Sequence, residues 1–409
     1  MIDHLLHGGP RYWAWLAFLC VVIAIGFGCY YYQLDYGLGV TGMSRDVSWG
    51  FYIAQFTFLV GVAASGVMVV LPYYLHHYKM FGKITIMGEF LAVAAVTMCV
   101  LFVVVDLGQP SRVLNVLLYP TLNSVMFYDI IVLSGYLLIN IVVGWTMLTA
   151  ESNELPPPAW VKPLIYISIP WAISIHTVTA FLYSGLPGRD YWLTAIMAPR
   201  FLASAFASGP ALLILIALIL RRVTSFDPGL PALRKIGTIV TYAMIVNIFF
   251  VLMEFFTGFY SQAPGHMASL QYLFFGLDGY GRLVPFMWLA AVLGIGAVIA
   301  LLFQRVKQDE RLFALALGAI FVATWIDKGL GLIVGGFTPN PLGDITEYAP
   351  TLPELGVTLG VYGIGFLVLT VLYKITVGVR EAQLSPETAQ QAATAEQASP
   401  EQLVAEAAH

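Results

Sequence analysis

Charge is what this sequence has least of. Asp, Glu, Lys and Arg make up 10% of 409 residues, and Lys and Arg together number 19. A water-soluble chain of this length needs two to three times that share to coat its surface. No basic run is long enough to follow a phosphate backbone, which excludes a nucleic-acid footprint. Cysteine is scarce as well. Cys20, Cys29 and Cys99 all lie in apolar stretches and none forms a close pair, so no zinc, iron–sulfur or haem-attachment spacing exists. They read as inert core thiols.

What fills the chain instead is apolar sequence, with a hydrophobic fraction of 59% and a mean hydropathy of +0.82. Ten segments are long enough to cross a bilayer: 12–34, 49–72, 84–106, 124–149, 163–185, 201–221, 236–259, 283–304, 311–335 and 357–379. Lipid demands that each satisfy its own backbone, so the expected fold is all-α and polytopic. The first run is not a cleaved signal. It starts after Arg11, reaches Tyr32 with aromatics at its margins, and is followed by many similar runs. Residues 1–380 form the transmembrane domain. From Glu381 to His409 the chain is rich in Ala, Gln and Glu with Ser-Pro steps, which predicts a disordered tail.

Ten spans place both termini on one side. The termini and the loops on that side hold 13 of the Lys and Arg residues, with pairs at Arg221-Arg222 and Arg234-Lys235. The opposite side holds five: Arg45, Arg112, Arg189, Arg200 and Arg282. The positive-inside rule therefore predicts cytoplasmic termini in an inner membrane. The opposite loops are longer and carry Pro, Gly and aromatics, a surface suited either to docking a partner or to simple capping.

The few ionisable groups inside apolar runs are costly to keep there. Following chain direction, Asp106 ends the third span, Asp129 lies near the start of the fourth and His176 in the outer half of the fifth. Arg200 opens the sixth, Glu254 lies near the end of the seventh, and Asp327 and Lys328 occupy the outer half of the ninth, while Gln55 enters the second from the same side. These groups approach one membrane depth. They are either structural pairs, such as Asp106 with Arg112 or Asp327 with Arg200, or the lining of a cavity. A quinone headgroup in such a cavity needs a hydrogen-bond partner for each oxygen and a group that exchanges protons, a role that suits histidine.

Glu89 lies at the opposite depth, near the cytoplasmic start of the third span. It reads either as a carboxylate favoured by the helix dipole or as the mouth of a proton path. Together with Asp327 and Lys328 it forms the set of proton-transfer candidates. An internal echo also exists: Ala64-Ser65-Gly66 matches Ala207-Ser208-Gly209. It predicts two parallel four-helix bundles, spans 2–5 (about 49–185) and spans 6–9 (about 201–335), plus two additional helices, with small residues at close crossings.

Two motifs then carry a family resemblance. One is Gly50-Phe-Tyr-Ile-Ala-Gln-Phe-Thr-Phe-Leu-Val-Gly-Val-Ala-Ala-Ser-Gly66. The other is Asp106-Leu-Gly-Gln-Pro-Ser-Arg112, followed by Pro120, Ser124 and Asp129. Over roughly residues 12–380 the chain resembles the NrfD/PsrC family of quinone-interacting membrane subunits. The stretch Val40-Thr-Gly-Met-Ser-Arg-Asp-Val-Ser-Trp-Gly50 is similar to the DsrP branch, the membrane subunits of Dsr electron-transfer complexes of sulfur metabolism, with the related Hmc-type and Qrc-type subunits as alternatives. The resemblance implies a menaquinone or other quinone site near the outer face, lined by His176, Asp106, Asp129, Arg200, Glu254 and Gln55. It implies no haem, iron–sulfur cluster or metal in this chain. It also implies a periplasmic ferredoxin-like iron–sulfur partner, with multihaem cytochrome c, membrane cytochrome b and heterodisulfide-reductase-like subunits in the same complex. A secondary transporter, with ten spans and an internal echo, and a purely structural anchor are the competing readings.

Overall fold

The computed structural model describes residues 5–75 and 79–383; the tail from residue 384 onward lies outside the described residues. Among the described residues there is no β-sheet, only an isolated bridge between Leu277 and Tyr280. Ten helices are long and apolar enough to span a membrane: α1 (Pro10–Tyr36), α2 (Phe51–Tyr74), α3 (Lys79–Asp106), α4 (Val125–Ser152), α5 (Val161–Ser184), α6 (Met197–Val223), α7 (Leu230–Tyr260), α8 (Val284–Leu302), α9 (Glu310–Phe337) and α10 (Leu352–Ala382). The expected all-α polytopic fold is therefore present, and the protein is a multi-pass membrane protein.

Contacts between helix ends fix the alternation. On one side Gln33 Nε2 of α1 donates to the Val105 carbonyl of α3 at 2.7 Å, and the Tyr52 hydroxyl of α2 donates to Gln33 Oε1 at 2.6 Å. On the other, Arg380 of α10 pairs with Glu151 of α4 at 2.7 Å and also donates to the Lys83 carbonyl of α3. The first of these sides carries the longer loops and is termed the long-loop side.

Burial follows from which helices lie in the middle. Nearly every residue of α2 is buried, and α2 is apolar all round. It packs against α3 on one flank and against α6 and α9 on the other. In the first half α3 also packs on α4, and α4 on α5. In the second, α6 packs on α7 and α9, and α8 on α7 and α9. At the periphery α1 rests on α10, which rests on α3. The buried residues of α1 are Leu19, Gly26 and Gln33, seven apart, which is one narrow stripe facing the bundle.

Lipid tails are as apolar as the helices, so helices associate through close packing rather than through loss of water. Glycine makes that closeness available. A Cβ on Gly26 would collide with Gly360 Cα, so α1 and α10 touch backbone to backbone. A Cβ on Gly209 of α6 would lie 2.9 Å from the Ser65 nitrogen and 3.0 Å from the Val62 carbonyl of α2. The two Ala-Ser-Gly motifs thus meet at the α2–α6 crossing.

Three helices depart from regular α geometry. α2 tightens at Ala64, whose N–H reaches the Gly61 carbonyl at 3.1 Å, and resumes at Ser65. This single tight turn is not the unwound segment that a transporter uses to hold an ion. α7 ends in a π-helical stretch, Phe256–Tyr260, and α9 contains another, Trp325–Gly331. The wide π turn is frequent at functional sites. Both stretches adjoin buried ionisable groups.

The long-loop face is knit together. Glu354, fully buried at the start of α10, accepts from the Gly42 N–H at 2.7 Å, the Thr351 N–H at 3.0 Å and the Tyr348 hydroxyl at 2.7 Å. Asp46 accepts from Asn340 and Thr346. Trp192 Nε1 donates to the Leu332 carbonyl at 2.8 Å, fastening the α5–α6 loop to α9. Beneath this cap the rings of Trp49 and Trp192 each meet Phe337 edge to face, Trp49 meets Tyr183 likewise, and Tyr183 and Trp192 are tilted against each other.

Candidate functional site

The helix α5 sets up the first group. His176, Thr179 and Tyr183 recur at intervals of three and four residues, so they share one face, and each is completely buried. Thr179 Oγ1 donates to Asp129 Oδ1 of α4 at 2.6 Å, and the Tyr183 hydroxyl bonds Thr57 Oγ1 of α2. His176 differs from both: neither ring nitrogen has a hydrogen-bond partner. Buried polar atoms are nearly always satisfied, so an unpartnered imidazole in a protein core marks a place for water or a ligand.

Lys328 is the second element. It sits in the π stretch of α9, is 3% exposed, and points its ammonium at the Phe201 ring, 4.3 Å from the centroid, and at the Phe201 carbonyl, 3.4 Å away. No carboxylate lies within ion-pair distance of it among the described residues. Asp327 turns to Arg200 of α6, with Nη2 and Oδ1 2.8 Å apart, while Lys328 turns toward Phe201 of α6 and Gly61 of α2.

The third group lies at the long-loop end of α7. Glu254 Oε2 is 2.7 Å from His266 Nε2, and Glu254 Oε1 accepts from Thr194 at 3.0 Å. His266 belongs to a short helix, Pro264–Phe274, that follows α7, and its Nδ1 lies 3.2 Å from the Asp190 carbonyl. Burial pulls the His266 pKa down, but the hydrogen bond and charge of Glu254 outweigh it, leaving the pKa above its ordinary value.

The remaining candidates are placed elsewhere. Gln55 accepts from Trp325 Nε1 at 2.8 Å and from the Tyr362 hydroxyl at 2.7 Å, while its amide nitrogen is buried without a partner. Asp106 ends α3 beside Tyr52 and Glu354, with Oδ1 buried and unpartnered. Of the two pairs considered from sequence, Asp327 with Arg200 is formed, and Asp106 with Arg112 is not. Glu89 is 3% exposed and lines a cavity of about 270 Å³ on the opposite side, whose rim carries Tyr74, Lys83, Glu151 and Arg380. Its Oε2 has no partner.

The structure therefore joins Asp129 to Thr179, one turn from His176, sets Lys328 against Phe201, joins Arg200 to Asp327, and joins Glu254 to His266. Thr179 and His266 were missed from sequence. The spacing of Thr179 from His176 was the available signal; His266 follows a Pro-Gly pair that reads as loop. Among the described residues no group of three or more His, Cys, Asp or Glu is arranged to hold a metal ion.

Comparison with known proteins agrees with this architecture. Residues 39–337 match the family described as "Polysulphide reductase, NrfD", and the chain belongs to that family of polytopic membrane oxidoreductase subunits. It is 25% identical to a putative dimethyl sulfoxide reductase membrane subunit of Halobacterium salinarum, over 87% of this chain and 89% of that protein. It is 24% identical to the Hdr-like menaquinol oxidoreductase integral membrane subunit of Archaeoglobus fulgidus, over 93% and 95%. It is also similar to the integral membrane subunit of a menaquinone reductase from Nitratidesulfovibrio vulgaris, 20% identical over 92% and 94%.

Proposed function

We propose that this chain is the quinone-interacting membrane subunit of a respiratory electron-transfer complex. The observation that carries the reading is His176, buried in the centre of the chain with both ring nitrogens unpartnered. Reducing a quinone takes two electrons and two protons, and a neutral imidazole can donate from one nitrogen and accept at the other. In this reading His176 holds or releases the proton at one oxygen of the headgroup. Asp129, positioned by Thr179, serves the other oxygen, and Lys328 supplies positive charge where negative charge develops. Arg200, Glu254, Asp106 and Gln55 complete the polar surround toward the long-loop face.

The electrons come from, or go to, a redox partner docked on that face, in our reading a periplasmic ferredoxin-like iron–sulfur subunit. The crowding of Lys and Arg in the opposite loops supports cytoplasmic termini in this reading. The quinone is menaquinone in this assignment, as the names of the Archaeoglobus and Nitratidesulfovibrio relatives suggest for those proteins. The Val40–Gly50 stretch favours a Dsr-type complex of sulfur metabolism, with multihaem cytochrome c, cytochrome b and heterodisulfide-reductase-like subunits. Two four-helix units, α2–α5 and α6–α9, and a cytoplasmic tail complete the proposed organisation. Glu89, with its cytoplasmic cavity, and the neighbours Lys328 and Asp327 are the proposed proton-transfer groups.

The test is quinone-linked turnover of the assembled complex carrying His176→Ala. Loss of a positioned proton-transfer group costs on the order of a hundredfold. Full turnover by a normally assembled variant overturns the assignment.

A further inference from the structure

A second feature lies outside the His176 group. Between α7, α8 and α9 the structure contains an apolar cleft of about 270 Å³. Its mouth is formed by Leu252, Phe275 and Trp288, exposed by 60%, 64% and 50%, on flanks that face the bilayer. Trp288 is held in place by donating Nε1 to the Phe274 carbonyl at 2.8 Å. Its lining also includes Asn247, Thr324 and Asp327.

Asn247 is the informative residue. It is 2% exposed, its Oδ1 has no partner, and its Nδ2 has only the Met244 sulfur at 4.0 Å. An amide buried in hydrocarbon with its oxygen unpartnered and its nitrogen held only by a long contact to sulfur is costly unless something fills the gap. Thr324 is occupied by the Ile320 and Phe321 carbonyls, and Asp327 gives Oδ1 to Arg200. Asn247 is thus the free donor and acceptor of the cleft. Its amide can donate to a carbonyl or accept from a hydroxyl, the two forms a quinone headgroup alternates between.

We infer that this cleft is a second, lipid-accessible binding site for a prenylated quinone or quinol, with the headgroup at Asn247 and the tail leaving past Leu252 and Trp288. Four features favour that occupant. Lateral opening selects a lipid-soluble ligand. The wall is almost wholly apolar. The volume lies just under the roughly 300 Å³ at which small-molecule pockets begin, enough for a ring but not a diacyl lipid. The polar end asks for a headgroup that an acyl chain lacks. The inference takes its ligand class from the proposed function but rests on a separate cleft: α9 contributes to both groups, whereas Asn247 of α7 and Trp288 of α8 lie on helices that His176, Asp129 and Lys328 do not use.

The experiment uses the full chain in lipid nanodiscs and a photoreactive azido-quinone with a prenyl tail, with labelled peptides mapped by mass spectrometry. Ala291→Phe fills the cleft and Asn247→Leu removes its polar end. Both are expected to cut labelling of α7 and α8 peptides about tenfold, the effect of one lost hydrogen bond or more, while α5 labelling and thermal stability stay unchanged. His176→Ala is expected to do the reverse. Unchanged α7 and α8 labelling in a folded Ala291→Phe chain overturns the inference. So does displacement of the probe by a prenyl alcohol as readily as by unlabelled quinone, which would make the cleft an acyl-chain groove. Failure of the His176 reading would show separately, as full turnover in His176→Ala.

Discussion

Glu254 Oε2 stands 2.7 Å from His266 Nε2, and this one contact pins the short helix Pro264–Phe274 against the end of α7. The contact joins a carboxylate whose α7 turn widens immediately afterward into Phe256–Tyr260 to a histidine outside the spanning segments.

The His266 contact makes stability depend on pH in a defined direction. The folded-state pKa is raised above the ordinary value of 6.5 by Glu254, against burial and the nearby Arg200 charge. A raised pKa gives stabilisation that is fully present below the unfolded-state pKa and lost as pH rises through the folded one. His266→Ala should therefore lower the melting temperature more at pH 6 than at pH 9, by an amount equivalent to about 1.5–3 kcal/mol at the lower pH. Thermal denaturation of the purified protein at the two pH values measures this. An equal loss at both would mean that the ring contributes by packing alone.

Arg200 and Asp327 should behave as a unit. Removing one member leaves the other charged and buried, at a cost of about 3–5 kcal/mol, whereas removing both leaves no orphan. Arg200→Leu and Asp327→Leu should each reduce the yield of folded protein sharply, and the double variant should recover most of it. A double-mutant cycle read by thermal stability tests the coupling; additive losses would contradict it.

Depth in the membrane was legible in the sequence, and neighbourhood was not. A run of about twenty apolar residues announces a helix because lipid allows little else, and all ten expected spans are present. Chain direction then places Asp327, Arg200 and Glu254 near one level. Which helix each residue faces is a different matter. α2 is apolar on every side, so it carries no periodic stripe to show where α6 and α9 will lie. The tenth span begins at Leu352 rather than 357 because Glu354, which hydropathy penalises, is satisfied by the N–H groups of Gly42 and Thr351. The π stretch of α9, which separates Lys328 from Asp327, leaves no mark in the pattern of residues. His266 escaped notice because Pro264-Gly265 reads as a turn, and only folding brings it back to Glu254.

The α2–α6 crossing predicts a steric failure. Gly209→Ala would set a methyl group 2.9 Å from the Ser65 nitrogen and 3.1 Å from the Gly61 carbonyl, both rigid backbone. The helices must separate, which costs about 1–3 kcal/mol for an overpacked site. A control at Gly296, where a Cβ meets nothing within 4 Å, should be neutral. Comparing the two melting temperatures distinguishes crowding from a general intolerance of alanine.

Glu89 gives the last prediction. Its carboxylate is buried, with one oxygen unpartnered, at the wall of a cavity framed by Lys83 and the Arg380–Glu151 pair. The cavity lies on the opposite side of the chain from Asp327 and His266, so Glu89 cannot touch a headgroup held near the long-loop face. Gln matches Glu in shape but cannot exchange a proton. If the cavity feeds protons inward, Glu89→Gln should leave quinone labelling and assembly intact while slowing proton-coupled turnover at least tenfold, within the range of a lost proton-transfer group. Turnover and pH change are to be followed together in proteoliposomes holding the complex. Normal proton movement in Glu89→Gln would reduce this residue to a buried packing element of α3.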